Sequence, residues 1–494
     1  MIVPCPLLQS VLAPLVASAV IALLGRRLGK AVGWIAALAV IYSSTLLMLT
    51  GLELWSAPGS RIYEEYSWSL IAGLKFGFLA DGLSLPVAII SALICAASAV
   101  YSIPYIRHRI EVIYGSEDQG LYRIYFFLFL FFPAGFIGVS LSTNLVEMYL
   151  FVEMLLLPFY FLMDLFGYID RHRIAMMSFI WSHVSAVLFL VGVVLTYVGT
   201  GSFEISALSY LKGDLAFLTC FFILIGWLVK MAVFGFHVWV PWVHAEHPTC
   251  IASILATIVG FGNYVIVRLL VQHLPRIFNI FSLPLMIWSL ITMIYGAFLT
   301  LAQDDVKRLC ACSTISQNAY SLLGIASSTT LGVLGGVFYF LSHIIGKCIL
   351  FSVAGILVYQ TGFRDIKQMG GLAKNMPLTA ILFIIGAMIL AAIPPFSGFQ
   401  AEWIMFVGIF WQGFHGSLRG LIIPLIGIFA TFLTLVYTFW PVKRIFFGPV
   451  PENLKNVKKA PLTMTIPLLL LAIVSIILGV YPDILMRFLN STVS

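Results

Sequence analysis

The sequence predicts an all-α polytopic membrane protein of about fourteen transmembrane helices, with two inverted five-helix repeats that each contain a broken helix. Three observations predict it. Hydrophobic residues make up 61% of the chain against 10% charged, and apolar runs of about twenty residues, the length needed to cross a bilayer, recur along nearly the whole sequence. Lys and Arg are distributed unequally between alternate loops. Two apolar segments are too long for one straight crossing and are interrupted near the middle.

Taken in order, the spans fall at roughly 6–25, 31–52, 79–103, 121–142, 144–166, 174–199, 214–243, 250–273, 282–303, 310–327, 330–360, 378–413, 420–442 and 462–482. Alternate loops then hold eighteen Lys and Arg on one side, from Arg26 through Arg109, Arg171, Lys307 and Arg364 to Lys459, and seven on the other: Arg61, Lys75, Lys212, Arg268, Arg276, Arg419 and Arg487. Lys230 and Lys347 alone remain inside spans. The positive-inside rule places both termini outside the cytoplasm of a multi-pass protein of the cell membrane. The organisation is 1–120 for the first three helices, 121–273 for the first repeat (helices 4–8), 282–443 for the second (helices 9–13), and 444–494 for a loop and helix 14.

The seventh span contains the first interruption. Between Leu215 and Val243 the only ionisable residues besides Cys220 are Lys230 and His237, and as a straight helix this stretch would be about 43 Å long against a hydrocarbon core of roughly 30 Å. Gly235 and Pro241 favour a break. Loosened backbone at membrane depth is tolerated only where protein buries it or where it lines a hydrated cavity. The twelfth span repeats the theme. From Leu378 to Gln412 the only charge is Glu402, and Ile393-Pro394-Pro395-Phe396-Ser397-Gly398 interrupts the run. Overlong, interrupted spans in corresponding places of two blocks mark an internally repeated transporter with its working sites near the midplane, and an odd number of spans per block makes the repeats inverted.

A charge at the bilayer centre costs about 2.5–3.5 kcal/mol on insertion scales, so each is a candidate functional group. Besides Lys230, these are Glu153 in the fifth span, His343 and Lys347 at i and i+4 on one face of the eleventh, and Glu402. Glu147, near the end of its span, reads as solvated. His183 reads as a hydrogen-bonded core histidine. A buried Glu–Lys pair can simply neutralise itself, but several charges spread over successive spans each carry a desolvation cost that apolar packing would avoid. A hydrated polar axis in the membrane plane accounts for all of them.

Other classes find little support. The apolar segment before Arg26, Arg27 and Lys30 reads as a first span rather than a signal peptide. The seven cysteines lie mostly in apolar segments and give no disulfide, metal or cluster framework. The net charge of +7 resides in short loops, which does not suggest nucleic acid. No nucleotide-binding or redox motif is present, so no cofactor is expected.

These residues resemble a known family. Lys230-Met-Ala-Val-Phe-Gly-Phe-His237-Val-Trp239-Val-Pro241-Trp-Val-His244-Ala-Glu246-His-Pro248-Thr is similar to the signature of the antiporter-like subunits of respiratory complex I, of Mrp-type cation/proton antiporters and of energy-converting membrane hydrogenases. So are Asp81-Gly82-Leu83-Ser84, Asp305-Val-Lys307-Arg308 with Ser313-Thr-Ile-Ser316, His343-Ile-Ile-Gly-Lys347 and Gly370-Gly371-Leu372-Ala-Lys-Asn-Met376-Pro377, in family order along essentially the whole chain. Glu402 resembles the M-type subunit of complex I, where L-type and many Mrp-type relatives have lysine. His343 with Lys347 looks more like the L and Mrp D types. No lateral helix of the L type follows the last span.

The resemblance implies a proton- or sodium/proton-translocating subunit of a redox-driven membrane complex, with no redox centre of its own. Its axis would be Glu153, Lys230, His343, Lys347 and Glu402, with His237, His244, Gln317 and Glu147 in supporting places. Implied partners are further antiporter-like subunits, small membrane subunits and the redox arm of the complex, in a lipid bilayer. The chain also departs from the family. Gly260 in Gly260-Phe-Gly-Asn263 stands where relatives have lysine, Gln317 where they have histidine, and Ala232 and Gly235 replace two prolines. Water, Gln317 and Asn263 would have to bridge that gap. A D-type member of a separate Mrp sodium/proton antiporter, a standalone secondary transporter, a haem-bearing anchor and a non-conducting structural copy are the other readings.

Overall fold

The computed structural model describes residues 3–57, 59–69, 74–416 and 418–493, without the side chains of 415–420 and 493, so Arg419 of the charge tally lies outside the described side chains. Among the described residues nineteen α-helices follow one another: α1 (Pro6–Leu28), α2 (Val32–Ser56), α3 (Ser84–Tyr114), α4 (Gln119–Phe129), α5 (Phe131–Leu141), α6 (Leu145–Met154), α7 (Leu156–Phe166), α8 (Arg171–Thr200), α9 (Gly213–Lys230), α10 (Val240–Glu246), α11 (Thr249–Val265), α12 (Pro275–Leu301), α13 (Val306–Ala326), α14 (Thr330–Thr361), α15 (Pro377–Leu390), α16 (Ser397–Gly416), α17 (Leu418–Phe446), α18 (Leu462–Val480) and α19 (Asp483–Val493). Each predicted span coincides with one helix or with two in tandem. Eleven helical segments of the described chain are long and apolar enough to cross a membrane.

Strands β1 (Ile62–Ser69) and β2 (Leu74–Ala80) form an antiparallel hairpin that pairs Ile62 with Ala80 and Glu65 with Gly77. This corrects the purely helical reading and moves the start of the third span from 79 to Ser84. Asp81 sets that start: its Oδ1 accepts from the backbone N–H of Leu83 at 3.0 Å and of Ser84 at 2.8 Å, satisfying donors that a helix N-terminus leaves free. Its Oδ2 takes Nη1 of Arg268 at 2.7 Å, with both side chains buried.

Burial alone would raise the Asp81 carboxyl, but Arg268 and the backbone donors outweigh it and hold the group below its ordinary value. A depressed carboxylate stabilises the fold above its unfolded value and loses that contribution as pH falls through the lowered one. Thermal unfolding should therefore be insensitive to this group from neutral pH down to about 4, and fall only in stronger acid. An unfolding temperature already sloping between neutral pH and mild acid in wild type, but flat in Asp81→Asn, would contradict this.

Helices α11 and α14 form the centre, with their most apolar windows 100% and 94% buried, whereas α8, α12 and α17 turn much of their surface outward. Leu23 and Val198 on outer helices are among the most exposed apolar side chains, as a lipid-facing surface requires. Inside, helices approach through small residues. A Cβ on Gly408 would fall 2.1 Å from the backbone nitrogen of Gly332, so α16 and α14 touch backbone to backbone.

The two helix breaks close with the same hydrogen bonds. At the first break, Ala232 N–H donates to Val229 O and Val233 N–H to Leu228 O, with Ala232 at φ 57°. At the second, Ala392 N–H donates to Ile389 O and Ile393 N–H to Met388 O, with Ala392 at φ 51°. Both are Schellman closures with alanine in the left-handed position that glycine usually fills. Isolated bridges recur as well, Asn144 with Glu204 and Asp305 with Asp365. Asn144 and Asp305 each cap the following helix. Pro241 lies at the start of α10, so the break falls before it, around Gly235 at φ 96°.

Candidate functional site

Lys230 is the last residue of α9 and is 5% exposed. The irregular backbone after it is satisfied by α12: Phe234 N–H donates to Thr292 Oγ1 at 3.1 Å, and Trp288 Nε1 donates to Phe234 O at 2.9 Å. His237 belongs to this scaffold. Its Nδ1 accepts from Gly235 N–H at 3.2 Å and its Nε2 meets Tyr295 Oη at 3.2 Å. Lys230 forms no ion pair among the described residues, although it stays within electrostatic reach of Glu153. Glu153, on the last turn of α6, lies 3.6 Å from His183 Nδ1 instead. The expected close Glu153–Lys230 pair is thus open here. His183 is half exposed on α8 rather than a core histidine, because it faces outward beside Glu153.

Glu147 is fully buried, not solvated. The hairpin folds over it: Oε2 accepts from Gly77 N–H at 3.3 Å, Thr143 N–H at 3.4 Å and Asn144 Nδ2 at 3.3 Å, while buried Oε1 has no partner. Above it a cavity of about 530 Å³ is lined by Arg61, Tyr63, Asp81, Glu204, Arg268 and His273 among others.

In the second half, His343 and Lys347 are both buried on α14. Lys347 Nζ donates to Cys310 O at 2.7 Å and to Ser313 Oγ. Both ring nitrogens of His343, and both of buried His244, lack protein partners. The Phe351 ring is near both His244 and Lys347, 6.2 Å from the one centroid and 5.8 Å from the other's Nζ.

Farther along α13 a separate hydroxyl network lies beside Glu402, which is 7% exposed on α16 just beyond the second break. Gln317 Oε1 accepts from Tyr339 Oη at 2.9 Å, and its Nε2 donates to Tyr437 Oη at 2.8 Å. Tyr320 Oη meets Thr434 Oγ1 at 3.1 Å, and Thr431 Oγ1 donates to Glu402 Oε1 at 2.6 Å. Gln317 is therefore built into a network of hydroxyls that can pass protons by exchanging donor and acceptor roles. The stripe Thr431, Thr434, Tyr437 at i, i+3, i+6 in an apolar span was its sequence signal.

The gap at Gly260 is different in kind. A Cβ there would meet the Phe340 ring at 2.5 Å and Asn318 Oδ1 at 3.4 Å, so an aromatic ring fills the space a longer side chain would need. Asn263 Nδ2 donates to Gly260 O at 3.2 Å, and its Oδ1 and both amide atoms of Asn318 are buried without partners.

At the opposite end of the bundle from the hairpin, loop charges converge. Arg364 grips both Glu246 oxygens at 3.0 and 3.1 Å and reaches Asp305 at 2.8 Å. Lys307 is fully buried, donates from Nζ to His247 O at 2.6 Å and lies 3.7 Å over the Tyr168 ring, as does Arg109. Arg109, Lys307 and Arg364 thus gather at one end and Arg61 and Arg268 at the other, matching the sides assigned from charge. Lys307 and His247 stand within motifs quoted above for the family resemblance but were not singled out there as site residues. Among the described residues no group of three or more His, Cys, Asp or Glu is placed to hold a metal.

Residues 142–434 match the family described as "NADH:quinone oxidoreductase/Mrp antiporter, TM". The chain belongs to this family. Relatives include NAD(P)H-quinone oxidoreductase chain 4-2 of Synechocystis sp., 30% identical over 443 residues, covering 88% of this chain and 77% of that protein. F(420)H(2) dehydrogenase subunit M of Methanosarcina mazei is 30% identical over 447 residues, covering 87% and 85%. In fold, the chain matches one in the Mrp complex from Dietzia sp., with TM-score 0.85 and 20% identity over 98% of this chain and 97% of that one. It matches one in respiratory complex I from Thermus thermophilus, with TM-score 0.85 and 22% identity over 99% of each. The family resemblance read from Lys230 to Thr249 is borne out, and the chain is a multi-pass membrane protein.

Proposed function

We propose that this chain is a proton- or sodium/proton-translocating subunit of a redox-driven multisubunit membrane complex related to complex I, working beside other membrane subunits and a separate redox arm. The carrying observation is the buried file of groups through the middle of the fold, with Lys230 at one Schellman break and Glu402 just past its counterpart. The relatives named as quinone-reductase chain 4 and dehydrogenase subunit M support a redox-coupled parent complex. Fourteen crossings, inverted repeats at 121–273 and 282–443, and both termini outside the cytoplasm complete the reading.

In this mechanism a buried lysine holds its proton while a carboxylate is near and gives it up when the carboxylate withdraws, since burial penalises the charge and an opposite charge restores it. Withdrawal of Glu153 would release a proton from Lys230, and its return would recharge the lysine. Lys347 and the hydroxyls of Tyr437, Thr434 and Thr431, which Gln317 helps to orient, would carry protons to Glu402, which exchanges them with one side of the membrane. Each charge moved against 100 mV requires about 2.3 kcal/mol, so an external driver is needed.

Glu402→Gln keeps the bond from Thr431 but removes the exchangeable charge. It is expected to lower proton translocation in inverted membrane vesicles at least tenfold without loss of assembly, a cost of about 1.4 kcal/mol or more at the exchange step. Sodium uptake measured in parallel identifies the ion. The second reading, a non-conducting structural copy, is favoured by the Phe340 ring at Gly260. It would be adopted if Glu153→Gln, Lys230→Ala and Glu402→Gln combined left translocation at the native ratio.

A further inference from the structure

The function above leaves several buried titratable groups unused, and His247 is one of them. His247 follows α10, fully buried, with both ring nitrogens unpartnered and its ring stacked on Phe159 at 4.7 Å and 16°. A ring needed only for stacking would be apolar, because burying two polar atoms unpaired opposes folding. Polar atoms at such depth take ordered water as partners where the site is roomy enough.

Its surroundings give the ring two directions. On one side Lys307 Nζ bonds its carbonyl at 2.6 Å and faces Tyr168. Tyr168 lines a cavity of about 220 Å³ with Tyr105, Arg109 and Arg364, and this cavity reaches the surface at exposed Val112. On the other side His244 lies one helical turn back, next to Phe351 and Lys347. Lys307 and Lys347 meet the same stretch of α13, for Lys347 bonds Cys310 O three residues beyond Lys307. At Gly260 itself the Phe340 ring fills the space that a titratable side chain would need.

We propose that His247 is a proton-transferring residue joining Lys307 and the Tyr168 cavity to His244 and Lys347, so that the second half of the chain has its own proton access. This rests on the ion-translocating reading above. In each transfer one ring nitrogen takes a proton from the Lys307 ammonium, directly or through water, and the other releases its proton toward His244 and Lys347. Lys307 regains its proton from the cavity, and the ring ends neutral in the opposite tautomer, which a ring flip resets. One proton moves inward and no net charge stays on His247.

The test uses inverted membrane vesicles holding the intact complex, with protons moved per turnover as readout. His247→Phe keeps the stack on Phe159 and removes the relay. It is expected to fall to the level of Lys347→Ala, below half of wild type, in an assembled complex. His247→Ala is expected to regain translocation with added imidazole, whereas Lys347→Ala is not. A native ratio in His247→Phe beside a failing Lys347→Ala overturns the relay and leaves the function standing. A native ratio in both overturns the function itself. If His247→Phe does not assemble, His247→Ala decides, and failure of imidazole to restore it counts against the relay.

Discussion

Lys230→Ala is expected to abolish coupled ion translocation through this chain while the complex still assembles. The ammonium is 5% exposed and forms no ion pair among the described residues. Its charge partner is the Glu153 carboxylate, within electrostatic reach but not in contact, and the α9 C-terminus adds partial negative charge. Removing it leaves Glu153 partly exposed beside His183, and a buried cation of this kind costs about 2.5–3.5 kcal/mol on insertion scales, so folding should be unharmed or improved. Translocation is another matter, because His237, the neighbouring titratable group at the first break, is already held by Gly235 N–H and Tyr295 Oη. Blue-native gels report assembly, and a pH-sensitive dye in inverted vesicles reports translocation. Pumping at the native ratio would sink the assignment.

Arg268→Met is expected to have the largest effect on stability. Asp81 is 2% exposed and commits Oδ2 to Arg268, so the substitution leaves a carboxylate buried beside an apolar side chain. Breaking a buried pair from one side typically costs about 3–5 kcal/mol. The loss should be felt at the start of α3 and in the Asp81–Arg268 wall of the larger cavity. Asp81→Asn with Arg268→Met should recover most of it, because the amide oxygen still caps Leu83 and Ser84 and no charge remains. Thermal unfolding of the solubilised protein distinguishes the cases. A double variant no more stable than Arg268→Met would mean that the arginine acts through packing rather than charge.

Much of this architecture was legible in the residues. Lys230 inside an overlong apolar run followed by Gly235, and Pro394-Pro395 before Glu402, announced both breaks, since lipid forbids unsatisfied backbone and leaves few ways to interrupt a span. The hairpin at 62–80 was not legible, because its short alternating strands adjoin the apolar start of the third span. Glu147 reads as solvated from its distance along the helix. Only the fold of β2 over it, which brings Gly77 N–H to its carboxylate, buries it. Likewise the pattern of residues places Gln317 as a missing histidine, while its tyrosine partners come from α14 and α17, far off in sequence. Periodicity finds elements and their charges; it does not say which distant side chains will meet them.

The Phe340 ring over Gly260 has an electrical consequence. On the proposed function, Lys230 near Glu153 and Lys347 near the Glu402 network would be two stores of charge with the Phe340 ring filling the space at Gly260, closer to capacitors in series than to a wire. A change of voltage or of charge in a neighbouring subunit then acts on each store by induction. On that proposal the two halves would fire in sequence without a proton crossing between them.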